Sequence, residues 1–134
     1  MIVILDACAV IAFLRNEPGS NLVENYLIND AYTCYIHVIN LCEVYYDVMR
    51  SNNKQKADEM LNELQEACVI FRDDIDLYFW QLVAQYKATI RRVSLADCFA
   101  LALTKLLNGL LITSDHKEFD PIVPLGICSI TFIR

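Results

Sequence analysis

The stretch SLADCFALALTKLLNGLLITSDHKEFDPI, Ser94 to Ile122, decides the fold. From Ser94 to Leu107 it is apolar almost all round, as a helix buried on most sides requires. Asn108-Gly109 supplies a stop, and LLIT, Leu110 to Thr113, is a short apolar run of strand length after it. Two aspartates, Asp97 and Asp115, sit inside this greasy segment. A buried lone carboxylate costs several kcal/mol unless it is paired, hydrogen-bonded or metal-bound. The chain opens on the same oddity. MIVILDACAVIAFL carries one charge, Asp6, between two apolar blocks.

Outward from these two stretches, short apolar runs alternate with helical periodicities. IVIL (Ile2–Leu5) reads as a buried strand and Ala7–Leu14 as the helix after it, ended by Pro18-Gly19. Ser20 is expected to cap a helix over Asn21–Ile28. Thr33–Ile36 is a second strand, and Ile39 to about Arg50 is a helix. Lys54–Ala67 is amphipathic, with Ala57, Met60, Leu61, Leu64 and Ala67 recurring at three and four. Val69–Phe71 is a third strand, Ile75 to about Thr89 a helix, and Ile127–Ile133 a last strand. Such alternation predicts an α/β domain with a largely parallel sheet. In such sheets the site lies outside the carboxyl ends of the strands, near the point where strand order reverses. Asp6 ends the first strand and Asp115 follows the fourth by two residues. Both are expected on one edge.

The bulk numbers bound the rest. The length of 134 residues is about one domain. A hydrophobic fraction of 56% gives ample material for a core, and three Gly and three Pro leave little for linkers. A membrane span needs roughly 20 apolar residues in a row. The longest uncharged run, Pro121–Ile133, is shorter and holds two prolines and a glycine. No basic leader precedes Met1–Leu5, so a cytoplasmic protein is expected. Six cysteines without a C-x-x-C pair read as small buried hydrophobes with free thiols, not as a disulfide framework or a zinc site. A net charge of −6 argues against gripping nucleic acid by bulk electrostatics, though not against a local basic rim.

Each acid has a local reading. Asp6 caps the helix after it. Ser94-Leu95-Ala96-Asp97 is a capping box. Asp115 closes a turn through its own backbone. Glu43, in NLCEVYY, pairs with an arginine. The alternative is convergence. Two acids stand at strand ends and two, Glu43 and Asp97, near helix starts that this architecture points to the same edge. Crowded like charges repel, and a divalent cation with hard oxygen ligands, Mg²⁺ or Mn²⁺, resolves that. Asp73, Asp74 and Asp76 precede a helix and read as solvated acids on its dipole. Arg91-Arg92 lies just before the Asp97 helix and flanks the site, either holding substrate phosphate or as a surface pair. Asn40, three residues before Glu43, bonds a ligating acid or fills a polar pocket.

ILDACAVIAFLRNEPG, NLCEVYY and SLADCFALALTKLLNGLLITSDHKEFDPI, in that order and spacing, resemble the PIN-domain ribonucleases, in particular the small VapC-type toxins of toxin–antitoxin pairs. The resemblance runs over essentially the whole chain. It implies a single domain over residues 1–134, a three-layer α/β/α PIN-like fold with a central, mainly parallel sheet of four or five strands. It implies a metal-dependent endoribonuclease that leaves a 5′ phosphate. The family's acidic quartet falls on Asp6, Glu43, Asp97 and Asp115, with Asp6, Asp97 and Asp115 holding one or two Mg²⁺ or Mn²⁺ ions. Thr113 matches the hydroxyl that supports the last acid, and Asp120 a further acid near the site. The implied partners are RNA, a small antitoxin whose tail enters the cleft, and a second copy in a homodimer; Tyr45, Tyr46 and Tyr78 either serve such a dimer face or belong to the core. Cys8 departs from the family's small polar residue. It also occupies the place where a haloacid-dehalogenase-like phosphatase needs a second acid, which sets that chemistry aside. The other alternative is a non-catalytic PIN-like or receiver-like binding module.

Overall fold

The computed structural model describes the whole chain, Met1–Arg134. Five strands are present: β1 Ile2–Leu5, β2 Thr33–His37, β3 Val69–Arg72, β4 Leu110–Thr113 and β5 Ser129–Phe132. Every pairing is parallel, in the order β3-β2-β1-β4-β5. Seven helices connect them: α1 Ala7–Leu14, α2 Ser20–Ile28, α3 Val38–Ser51, α4 Lys54–Glu66, α5 Leu77–Thr89, α6 Leu95–Leu107 and α7 His116–Phe119.

Alternation along the strands builds three layers. Val3 and Leu5 of β1 face a core with Ala9 and Val10 of α1, Val23 of α2, Val44 of α3 and Leu64 of α4. Ile4, between them, faces the opposite core with Phe79 and Val83 of α5, Leu101 and Leu103 of α6, and Phe119. Helix α6 is buried from Cys98 to Thr104 without interruption, which explains its apolar character on every side. It ends where Asn108 turns left-handed (φ 52°) and the Gly109 N–H returns to the Thr104 carbonyl at 2.9 Å. A Cβ on Gly109 would lie 3.0 Å from the Ile2 carbonyl oxygen, so the start of β4 closes on β1 because glycine stands there.

Some expectations need correction. Ser20 does not cap α2. Gly19, left-handed at φ 95°, takes that position, and Ser20 Oγ donates to Asn16 Oδ1 at 3.1 Å. Helix α5 starts at Leu77 because Asp76 caps it, accepting from Phe79 N–H at 2.9 Å. The last strand keeps only Ser129–Phe132 of the expected Ile127–Ile133. Helix α7 and a 3₁₀ turn at Val123–Leu125 were too short for periodicity to announce. All six cysteines are free, but only Cys34 and Cys98 are buried, and Cys42 and Cys68 are exposed. No helix is long and apolar enough to cross a membrane.

Candidate metal centre

Strand order runs outward from β1 through β2 to β3, then reverses to β4 on the other side of β1. The crevice at the carboxyl ends of β1 and β4 is therefore the switch point of the sheet. Asp6 directly follows β1, and Asp115 follows β4 by two residues. Helices α3 and α6 start at the same edge and bring Glu43 and Asp97. A cavity of about 230 Å³ there is lined by Asp6, Ala7, Cys8, Glu43, Ser94, Asp97, Asp115 and Glu118.

Capping and convergence turn out to coexist. Asp6 is buried, 1% exposed. Its Oδ1 accepts from Ala9 N–H at 2.8 Å, and its Oδ2 accepts a short hydrogen bond from the Thr113 hydroxyl. The Thr113 oxygen in turn accepts from Asp115 N–H at 3.0 Å. Asp115 Oδ1 caps α7, accepting from Glu118 N–H at 3.0 Å. The box at Ser94 is only half formed. Ser94 Oγ accepts from Asp97 N–H at 3.1 Å, but Ser94 N–H donates to Glu118 Oε2 at 3.2 Å instead of to Asp97. Asp97's carboxylate is thereby left to the pocket.

One oxygen each from Asp97, Asp115 and Glu118 lies within 4.8 Å of the other two. Asp6 and Glu43 line the same pocket without joining that group. None of these five acids is ion-paired to a lysine or arginine, so the arginine expected for Glu43 is absent. Burial, opposed by the bonds from Thr113 and Ala9 and reinforced by the charges of Asp115 and Glu43, pushes the Asp6 carboxyl up to about 7. Burial likewise raises Asp97 to about 7, and Ser94 opposes it. Glu43 is raised by burial and by Glu118. Burial and four of the acids push the Cys8 thiol up to about 12. Clustered hard oxygens with no protein cation to offset them suit a hard divalent cation, which takes carboxylate ligands.

Glu118 was missed from sequence. Its signal was D-x-x-E, Asp115 to Glu118, the spacing that puts both acids at the start of one helical turn. The remaining candidates separate. Asn40 is fully buried and donates from Nδ2 to the Ala96 carbonyl at 3.1 Å, tying α3 to the first turn of α6, while its Oδ1 has no partner. Asp120 is exposed, its Oδ1 accepts from His116 Nδ1 at 2.8 Å, and it does not line the acidic cavity. Arg91 and Arg92 line a neighbouring cavity, not the acidic one. Of the three acids before α5, Asp74 pairs with Arg72 at 2.8 Å, Asp76 caps the helix, and Asp73 is exposed.

The family model of the PIN domain matches residues 3–122. The fold is similar to that of VapBC2 from Rickettsia felis bound to a DNA fragment from their promoter, with a TM-score of 0.74 at 20% identity, over 98% of this chain and 98% of that one. It is similar to VapBC-1 from nontypeable Haemophilus influenzae, with a TM-score of 0.72 at 21% identity over 99% and 98%. DNA-bound VapBC from Salmonella typhimurium gives 0.73 at 15% identity over 100% and 99%. Comparison with curated proteins gives no match. At these identities the likeness is one of fold, while the family model covers the segments that deliver all the pocket acids. The chain belongs to the PIN-domain family.

Proposed function

We propose that this protein is a Mg²⁺- or Mn²⁺-dependent endoribonuclease, the toxin of a toxin–antitoxin pair, working in the cytoplasm. The observation that carries the reading is the triad of Asp97, Asp115 and Glu118 oxygens within 4.8 Å, with no lysine or arginine paired to them. In this reading Asp97, Asp115 and Glu118 hold the cation, and Asp6, fixed through Thr113 and Ala9, completes the negative wall. A bound divalent ion lowers the pKa of water and offsets charge on the phosphodiester. Glu43, half-buried and raised in pKa, orients the attacking water and takes up its proton. Water adds to phosphorus, the 3′ oxygen leaves, and the product carries a 5′ phosphate.

The toxin assignment rests on PIN-family membership together with whole-chain fold likeness to proteins solved as toxin–antitoxin complexes, among them one from Klebsiella pneumoniae. The proposed partners are RNA, a small antitoxin and a second copy of the chain. The homodimer is supported by apolar side chains open to solvent at the entry to α5. Ile75, Leu77, Tyr78 and Trp80 are 60%, 63%, 67% and 46% exposed. Tyr45 does not join them, since its hydroxyl donates to Asp58 at 2.7 Å.

The test is cleavage of total RNA by the purified chain with Mn²⁺, with EDTA and with an Asp97→Asn variant as controls. Metal-dependent cleavage lost in both controls supports the reading. A rise in melting temperature with Mn²⁺ and no cleavage of any RNA would favour the non-catalytic module instead.

A further inference from the structure

The acidic pocket has a neighbour of opposite charge. Arg91, Arg92 and Lys117, with Glu118 and Pro121, line a second cavity of about 350 Å³. Glu118 belongs to the walls of both. The chain has 11 lysines and arginines against 17 acids. Five of those cations, Arg15, Lys54, Lys56, Arg72 and Arg134, pair with carboxylates elsewhere. Arg91, Arg92 and Lys117 pair with none, even though Glu118 and Asp120 stand beside them in sequence or space.

The turn that carries the arginines is held at several points. Val93 is buried, and its carbonyl accepts from Lys87 Nζ at 2.6 Å. The next amide, Ser94 N–H, is bound to Glu118 Oε2. Arg92 itself is left-handed, φ 61°, a conformation that is strained for an L-residue with a Cβ. The fold thus maintains a strained backbone at a place where two arginines line a cavity. An acidic protein faces a difficulty with a polyanion, because its own field repels it. Unpaired cations next to the acid cluster offset that repulsion locally. Guanidinium forks match the geometry of phosphate oxygens.

We propose that this cavity is a subsite for a backbone phosphate of single-stranded RNA, next along the strand from the phosphate held at the acidic pocket. The subsite rests on the nuclease reading above and adds to it. Two pockets of opposite sign sharing the Glu118 wall set where the strand lies relative to the acids. An acidic peptide is the less suitable occupant. Apart from Pro121 its walls come from charged residues, with no aliphatic or aromatic side chain among them, and peptide affinity needs buried apolar anchors.

The experiment measures binding of a short labelled single-stranded RNA of mixed sequence in EDTA, where no turnover occurs, across a salt series. It compares the unaltered chain, R91Q/R92Q/K117Q, and K54Q/K56Q as a charge control on the surface of α4. The expected result is a loss of affinity of about tenfold or more in the triple variant, with the log–log salt slope shallower by about 0.7 for each phosphate contact removed. The control should bind as the unaltered chain does. Equal losses in both variants, or none in either, overturn the subsite. So does a triple variant that keeps RNA affinity but loses affinity for an oligoglutamate peptide, and so does an unaltered chain that binds no RNA. Cleavage with Mn²⁺ is scored separately. Its absence sinks the nuclease reading, while the affinity ratio in EDTA still decides the subsite.

Discussion

Thr113 gives its hydroxyl proton to Asp6 and receives the Asp115 amide proton, so one side chain at the end of β4 joins the acid that ends β1 to the acid that begins α7. This relay fixes Asp6 by something other than a cation. Thr113→Val conserves shape and removes both bonds. It leaves a buried carboxylate and an amide short of partners, at a cost of about 1–3 kcal/mol. Thr113→Ser should restore most of that stability, and urea unfolding of the three proteins side by side is the check.

The pKa values of Asp6 and Asp97 set the pH response of the metal-free protein. Both are raised from 3.8 to about 7 in the fold, so the folded state binds protons more tightly than the unfolded chain. Their contribution to stability is full below about pH 4 and is lost as pH rises through about 7. Melting temperature in EDTA should therefore fall between about pH 5 and about pH 8, and Mn²⁺ should reverse the fall. Asp6→Asn, which cannot ionise, should raise stability at pH 8 in EDTA by about 1–3 kcal/mol. A variant less stable than the parent there would contradict the reading of Asp6 as a repelled, buried charge.

His37 works in the opposite direction. It is buried against Phe79, with ring centroids 5.3 Å apart. Its Nδ1 accepts from Ile39 N–H, which assigns the proton to Nε2, facing the Asp74 carbonyl at 2.8 Å. Burial lowers its pKa below 6.5. The stability it contributes is present above that value and is lost as pH falls through the folded pKa. In denaturant titrations His37→Phe should start less stable at neutral pH and lose less on acidification than the parent.

Glu118 should matter to the metal as much as the aspartates do. Glu118→Gln should weaken Mn²⁺ binding by about tenfold or more, measured by titration calorimetry, with a similar loss for Asp115→Asn. Asp120→Asn, which alters only an exposed partner of His116, should bind Mn²⁺ as the parent does. Equal losses in Asp120→Asn and Glu118→Gln would remove Glu118 from its assigned place.

The architecture was legible because its signals are local. Ile2–Leu5 and Leu110–Thr113 are apolar runs with sharp ends, and Asn108-Gly109 marks the helix stop beside one of them. The meeting of Asp6 with Asp115 followed from parallel strands and chain order alone. Glu118 was not legible, because a four-residue helix has no period to read and its acid lay among other charges. Asp97 looked like a capping acid because the box is defined by spacing. Only the fold reveals that Glu118, 24 residues away, takes the Ser94 amide in its place. Asp120 was assigned by motif, whereas its i,i+4 spacing to His116 on a helical turn gave the competing local partner.

With all five strands running the same way, every acid of the pocket falls on one rim. The other rim, where chain enters the strands at Tyr32, Cys68, Gly109 and Cys128, is a strand's length away, roughly 13 Å. Gly126 on that side has open space around it, with nothing within 4 Å of an added Cβ. A fluorophore or affinity handle spliced beside Gly126 would report on the molecule without obstructing its mouth, and libraries of loop variants built there would diversify the surface while the chemistry stayed untouched.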